Sequence, residues 1–277
     1  MLTDAAYGKS GIRLVEVRRA TSRHDLRDLT VGIRFRGRYE ESYTEGDNSA
    51  VLPTDTMKNT VYALAAREGV GEPEAFAQLL ARHFMDRNPR LVRVRVDVTQ
   101  HRWGRIAGET GEYPDAFVGQ GPDTRTAAVQ SGRTRTFVGA GVANLVILKS
   151  AHSAFDRFLR DELTTLPDTR DRLLATSLTA TWRYRTGEIE FGAAWHAVRQ
   201  TLLEAFASHH SESVQHTLHA MGQAALDGVS DVSGIRLVMP NKHHLPVDLT
   251  PFGLENRNEI FVATEEPHGV IEATLVR

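Results

Sequence analysis

The chain contains no cysteine in its 277 residues, and that absence removes a good deal of chemistry. Disulfides, thiolate nucleophiles, iron–sulfur clusters and cysteine-ligated zinc are all excluded. An excess of one charge is lacking too. The chain has 33 basic and 35 acidic side chains and a formal net charge of −2, so neither nucleic acid nor an anionic membrane is expected as a bulk partner. No apolar run approaches the roughly 18 residues of a membrane span, and the N-terminus carries no apolar signal region. The last residues, Leu275-Val276-Arg277, are not a peroxisomal Ser-Lys-Leu address, so a cytoplasmic protein is expected. What is present is ordinary globular material, 41% hydrophobic and 25% charged, enough for one large domain or two smaller ones.

Periodicity orders residues 1–150 as strand, strand, helix, helix, strand, strand. Segments 12–19 and 29–39 read as a hairpin, the second alternating Val31, Ile33 and Phe35 with Gly32, Arg34 and Arg36. Segment 53–68 sets Met57, Val61, Leu64 and Ala65 at helical spacing, with Gly69 as its stop. A second helix is expected over 74–87, and 92–98 alternates strictly as a strand that pairs with 126–136. The second half repeats the order: strands over 137–149 and 181–185, helices over 191–209 and 213–226, strands over 234–249 and 259–276. Between its first two strands lies an extra segment, where Ser153 is the expected N-cap of a helix carrying Phe155, Phe158, Leu159 and Leu163. The fold class is therefore α+β, antiparallel sheets with helices on one face, divided at 1–135 and 136–277.

Arginines mark the other face of the strands: Arg34, Arg36 and Arg38 on one, Arg93 and Arg95 on another, Arg183 and Arg185 on a third. They read either as a solvated face or as the lining of a wet tunnel that concentrates anions.

Several residues could carry chemistry. Phe155 and Arg172 are expected to return to one end of a sheet, where a flat ring and a planar fork would suit a flat anionic ligand. Lys9 follows Tyr7-Gly8 and could serve as a base if buried beside a hydroxyl. Thr54 and Asp55 open a helix after Pro53, and Val214 and Gln215 open another behind Ser213. Such positions read as caps, or as free backbone N–H groups that meet an anion. Pro240, inside the strand that leads to Asn241 and His243, is expected to mark an edge or a bulge. His216 and His219 could share a metal, but no third ligand is evident, so none is expected.

Taken together and in order, these segments resemble urate oxidase (uricase). The motifs are Tyr7-Gly8-Lys9, the run from Leu52 through Thr54-Asp55 to Asn59, Leu148-Lys149-Ser150 leading to Ser153 and Phe155, Asp171-Arg172, Ser213-Val214-Gln215 and Pro240-Asn241-Lys242-His243. Gln100-His101-Arg102-Trp103 adds a further match. Ala151 stands where the family has a hydroxyl residue and Leu163 where it has an aromatic one.

The resemblance implies two tandem tunnelling-fold (ββααββ) domains per subunit, whose sheets join into barrels that stack as a homotetramer around a tunnel. It implies urate and dioxygen as reactants, no cofactor and no metal, with 5-hydroxyisourate and hydrogen peroxide as products. Phe155 would stack on urate while Arg172 and Gln215 grip its edge, helped by the Val214 backbone. Thr54 and Asp55 would arrive from a neighbouring subunit. Lys9, Thr54 and His243 would relay protons, and Asn241 with Thr54 would hold dioxygen or water above the ring. Two other readings compete: a tunnelling-fold enzyme acting on pterins or GTP, and a purine-binding protein without catalysis.

Overall fold

Alternation of side chains decides the architecture of the first half. In the computed structural model, which describes Leu2 and residues 4–277, strands β1 (Tyr7–Arg18), β2 (Asp25–Gly37), β3 (Leu91–Gly108) and β4 (Gly111–Gly132) lie side by side in that order, each antiparallel to the next. Leu29, Val31, Ile33 and Phe35 point to one face with Val94, Val96, Val98 and Val129, all buried. Helices α2 (Thr54–Glu68) and α3 (Pro73–Arg87) cover that face with Met57, Val61, Phe76, Leu80 and Phe84. Each such side chain contributes about 1.5–3 kcal/mol when fully buried.

Chain stops are set locally. Proline supplies the N-cap of α2 with φ −56° and sits at the first turn of α3, where a missing N–H costs nothing. Gly69 ends α2 at φ +74°, and its N–H bonds back to the Ala65 carbonyl. One buried ion pair braces this layer. Arg125 donates to Glu74 at 2.6 Å and packs 5.3 Å from the Trp195 ring, while burial raises the Glu74 pKa.

The opposite face carries the arginines. Arg34 stands across from Arg95 and Arg36 across from Arg93, and with Gln130 these four line a cavity of about 360 Å³. Asp97 pairs with Arg95 at 2.7 Å, and Asp4 pairs with Arg36.

The chain divides into two compact units, Met1–Gly141 with Arg183–Trp195, and Val142–Trp182 with His196–Arg277. The second holds most of β5 (Thr136–Lys149) and β6 (Leu174–Tyr184) and all of β7 (Val232–Lys242) and β10 (Gly269–Val276), which follow one another in that order. Helix α5 (Val214–Gly228) packs on β7 and β10 through Leu218, Met221 and Ala225, and α4 (Phe191–Ser208) brings Val198 and Leu202 into the core. A small ladder of β8 (His244–Pro246) and β9 (Phe261–Ala263) stands apart from the main sheet. Among the described residues, no helix is long and apolar enough to cross a membrane.

Three expectations are corrected. Residues 153–163 form no helix. The N–H groups of Ala154 and Phe155 bond to the distant carbonyls of Ser211 and Thr169, both at 2.7 Å, and His152 and Arg157 take positive φ of 58° and 55°. Those bonds compete with helix formation, and Leu159 and Leu163 are left 96% and 81% exposed. Pro240 marks neither edge nor bulge: β7 lies between β6 and β10, and its pairing with β10 runs unbroken from Gly234 to Asn241. Proline is tolerated there because the strand ends two residues later. Thr54 is not a cap, because Pro53 occupies that position and no side chain caps α2. An unexpected short helix, α1 (Glu40–Thr44), contains no buried residue and so leaves no apolar rhythm to read.

Candidate active site

Phe155 and Arg172 meet because two loop crossings hold their backbones in register. Phe155 exchanges both backbone hydrogen bonds with Thr169, and the Arg172 N–H bonds to the Ser153 carbonyl at 3.0 Å. The Arg172 guanidinium carbon thereby lies 5.3 Å from the centre of the Phe155 ring. Phe158 stacks on that ring at 4.9 Å with planes only 12° apart, and Arg160 caps the stack 4.5 Å from Phe158.

The two residues share the wall of a cavity of about 280 Å³ in the second unit. Asn241 and His243, at the end of β7, line it as well, their side-chain nitrogens 3.5 Å apart. Thr264 fixes the His243 carbonyl through its N–H at 2.9 Å. Among the side chains that line it are the Asp171 carboxylate and the guanidinium of Arg172. Its Nε is buried with no partner in the protein, and desolvation pulls its pKa below the ordinary guanidinium value. The group stays a cation, since guanidinium does not release its proton in proteins. A desolvated cation beside an aromatic face is arranged to accept a planar anion.

Val214 and Gln215 open α5 in the same unit. Ser213 caps the helix by accepting from the His216 N–H at 3.1 Å, so the first-turn N–H groups of Val214 and Gln215 have no intrahelical acceptor. Val214 is buried and the Gln215 side chain is exposed. Neither lines the cavity that holds Phe155. The 150s and 210s loops are nevertheless tied together, by Ala154 N–H to Ser211 O and Ser211 N–H to His152 O.

Lys9, Thr54 and Asp55 belong to the first unit. The Asp55 carboxylate accepts hydrogen bonds from Lys58 and Asn59. Its carboxyl is held below the usual range chiefly by Lys58, and the charge of Lys9 adds to the pull. Thr54 is the first residue of α2. No three His, Asp or Glu side chains among the described residues gather where a metal ion could be held.

Comparison with known proteins decides what this arrangement belongs to. The family model described as Uricase matches residues 5–130 and 138–272. The chain is 42% identical over 271 residues to the uricase of Arthrobacter globiformis, covering 98% of this chain and 88% of that protein. The chain belongs to the uricase family. It is also 34% identical over 277 residues to the uricase of Danio rerio, with 98% and 93% covered. The crystal structure of the Arthrobacter globiformis uricase superposes with a TM-score of 0.96 at 42% identity, over 100% of this chain and 95% of that one. The mixed α+β fold with its antiparallel sheet is thus the uricase fold.

Every candidate residue named above lies inside the spans that match the uricase family. Sequence reasoning missed part of the cavity wall. Asn258, in a left-handed turn at φ 65°, reaches across to Asp171 at 3.2 Å, and Phe261 and Leu245 of the small ladder close the same side. The one signal for Asn258 was its residue type, since asparagine tolerates that backbone region.

Proposed function

We propose that this uricase-family chain oxidises urate with dioxygen and water to 5-hydroxyisourate and hydrogen peroxide. One observation carries the reading: the Arg172 guanidinium, its Nε buried without a partner, beside the Phe155 ring in a cavity edged by Asn241 and His243. A purine anion supplies the two in-line acceptors that the fork lacks, and its flat face suits an aromatic wall.

In this reading Phe155 stacks on urate, while Arg172 and Gln215 hold its carbonyl and ring-nitrogen edge. The Val214 N–H at the start of α5 completes the grip. Lys9, Thr54 and His243 move protons, and Asn241 with Thr54 places dioxygen or water over the ring. Thr54 and Asp55 come from a neighbouring subunit, so the site is complete only in an oligomer, here a homotetramer. Two tunnelling-fold domains, 1–135 and 136–277, build the barrel in that assembly, and the arginine face of β2 and β3 lines its tunnel.

The reaction explains why so few groups suffice. Urate, once deprotonated, is electron-rich enough to reduce dioxygen itself. It gives up two electrons, and dioxygen leaves as hydrogen peroxide with two protons. The oxygen at ring carbon 5 enters first as a peroxide and is replaced by water, so urate, dioxygen and water balance 5-hydroxyisourate and hydrogen peroxide. The protein's part is to orient, to stabilise negative charge and to shuttle protons.

The test is a substrate comparison. Purified protein is mixed in air with urate, with a reduced pterin or with GTP, and the ultraviolet band of each is followed together with peroxide. Loss of the urate band with matching peroxide is expected. Turnover of pterin or GTP with urate untouched would transfer the chain to the other tunnelling-fold chemistry.

A further inference from the structure

The first unit contains a contact that joins the two segments assigned to proton transfer. The Tyr7 hydroxyl accepts a hydrogen bond from the Leu52 N–H at 3.1 Å. Tyr7 lies two residues before Lys9 on β1, and Leu52 lies two residues before Thr54. Both links are stiff. On the β1 side, Tyr7, Gly8 and Lys9 pair in register with Phe35, Arg34 and Ile33. Gly8 is pressed so closely on β2 that a Cβ there would sit 1.9 Å from the Ile33 carbonyl oxygen, so only glycine fits this approach of the two strands. On the helix side, only Pro53 separates Leu52 from Thr54. Its ring fixes φ, here at −56°, and restricts Leu52 to extended backbone.

Tyr7 is itself held. Its ring meets Phe35 edge-on at 5.7 Å and Tyr39 at 5.2 Å, and both of those are buried. Burial raises the pKa of both the Tyr7 and the Tyr39 phenol. Burial keeps the Tyr7 phenol firmly protonated, so its oxygen serves as a neutral acceptor rather than an acid or base at neutral pH.

We infer that Tyr7 is a positioning residue, one that sets the Lys9 strand against the Thr54 helix start through the Leu52 N–H. It touches neither urate nor dioxygen, and it acts through the placement of Lys9 relative to Thr54. The inference rests on the proposed relay role of Lys9 and Thr54.

Tyr7→Phe keeps the ring and its packing but removes the acceptor. Its expected effect is a fall in kcat of about tenfold to a hundredfold, the scale of a displacement of about 1 Å in a reacting geometry. The value is taken per urate-binding site, counted by anaerobic titration so that misfolded protein is not scored. KM for urate should stay within about twofold, because the groups that grip urate are elsewhere. The solvent deuterium isotope effect on kcat should rise as proton transfer becomes slower. Tyr43→Phe is the matched control: it removes an exposed tyrosine hydroxyl that donates to the Ala6 carbonyl at a long 3.5 Å, and should behave as wild type. Pro53→Ala loosens the same lever from its other end and should copy Tyr7→Phe, which keeps the question open to test if Tyr7→Phe fails to assemble. An unchanged kcat per site, a fall shared by Tyr43→Phe, or a fall without the isotope change would overturn the inference. If Lys9→Met and Thr54→Ala keep wild-type kcat, the relay reading itself fails. If those two collapse while Tyr7→Phe and Pro53→Ala do not, the positioning role alone fails.

Discussion

Arg172 lies over Phe155, its guanidinium carbon 5.3 Å from the ring centre, with its Nε buried and no partner in the protein. No carboxylate among the described residues pairs with it. Most buried guanidinium groups are matched by an acid, as Arg125 is by Glu74. Arg172, left without such a match beside an aromatic ring, is the group proposed to bind urate.

Arg172→Lys should therefore harm urate binding far more than a charge-preserving change elsewhere would. The planar fork forms two parallel hydrogen bonds that a point charge cannot copy. A loss on the order of 2–4 kcal/mol in kcat/KM is expected, since a desolvated bidentate contact is broken. Steady-state kinetics on urate check it, and unchanged kcat and KM would remove Arg172 from the site.

Activity should survive exhaustive chelation. The chain has no cysteine, and no set of three metal-binding side chains gathers among the described residues. The measurement is urate turnover before and after treatment with a strong chelator. Activity lost to the chelator and restored by one specific metal would refute the expectation.

Acid should weaken the fold through His209. Burial holds its pKa below the ordinary value of 6.5, and the positive neighbourhood of His216, Lys149 and His210 adds to the effect. The His216 ring is 4.3 Å away, and the Lys149 ammonium donates to the His209 carbonyl. The unfolded chain thus takes up a proton near pH 6.5 that the folded chain refuses. The stability contribution is complete above that value and is lost as pH falls below it. Thermal unfolding from neutral pH downward should show a steeper decline for wild type than for His209→Gln. Parallel curves would assign the acid sensitivity elsewhere.

Mixed oligomers test the shared site. Thr54→Ala and Arg172→Ala should each be inactive alone. Co-refolded, a site that receives intact Thr54 from one chain and intact Arg172 from its neighbour is whole again. Up to about half of the sites in a reciprocally paired dimer should recover. Mixed oligomers that form, as seen on native gels, yet stay as inactive as their parents would place both residues in one chain's own pocket.

Local rhythm made most of the fold legible. The alternation from Val92 to Val98 marks β3, and Met57, Val61 and Leu64 mark α2, because one buried face leaves a period of two or of 3.6 in the sequence. The same logic failed over 153–163. Phe155, Phe158, Leu159 and Leu163 imitate a helical face, but the backbone donors there are claimed by Ser211 and Thr169, partners that no local pattern encodes. The candidate site was legible as residue types and order, so Phe155 and Arg172 could be paired before their contact was known. Asn258 could not, because 87 residues separate it from Asp171 and only the folded chain joins them.

The most direct test of urate oxidation is a balance of reactants. Urate absorbance, dissolved oxygen and peroxide are recorded together in one closed, chelator-treated reaction. The account predicts that each urate lost consumes one dioxygen and releases one hydrogen peroxide, and that turnover stops when oxygen is exhausted. Urate left unchanged in air, or consumed without oxygen, would contradict it.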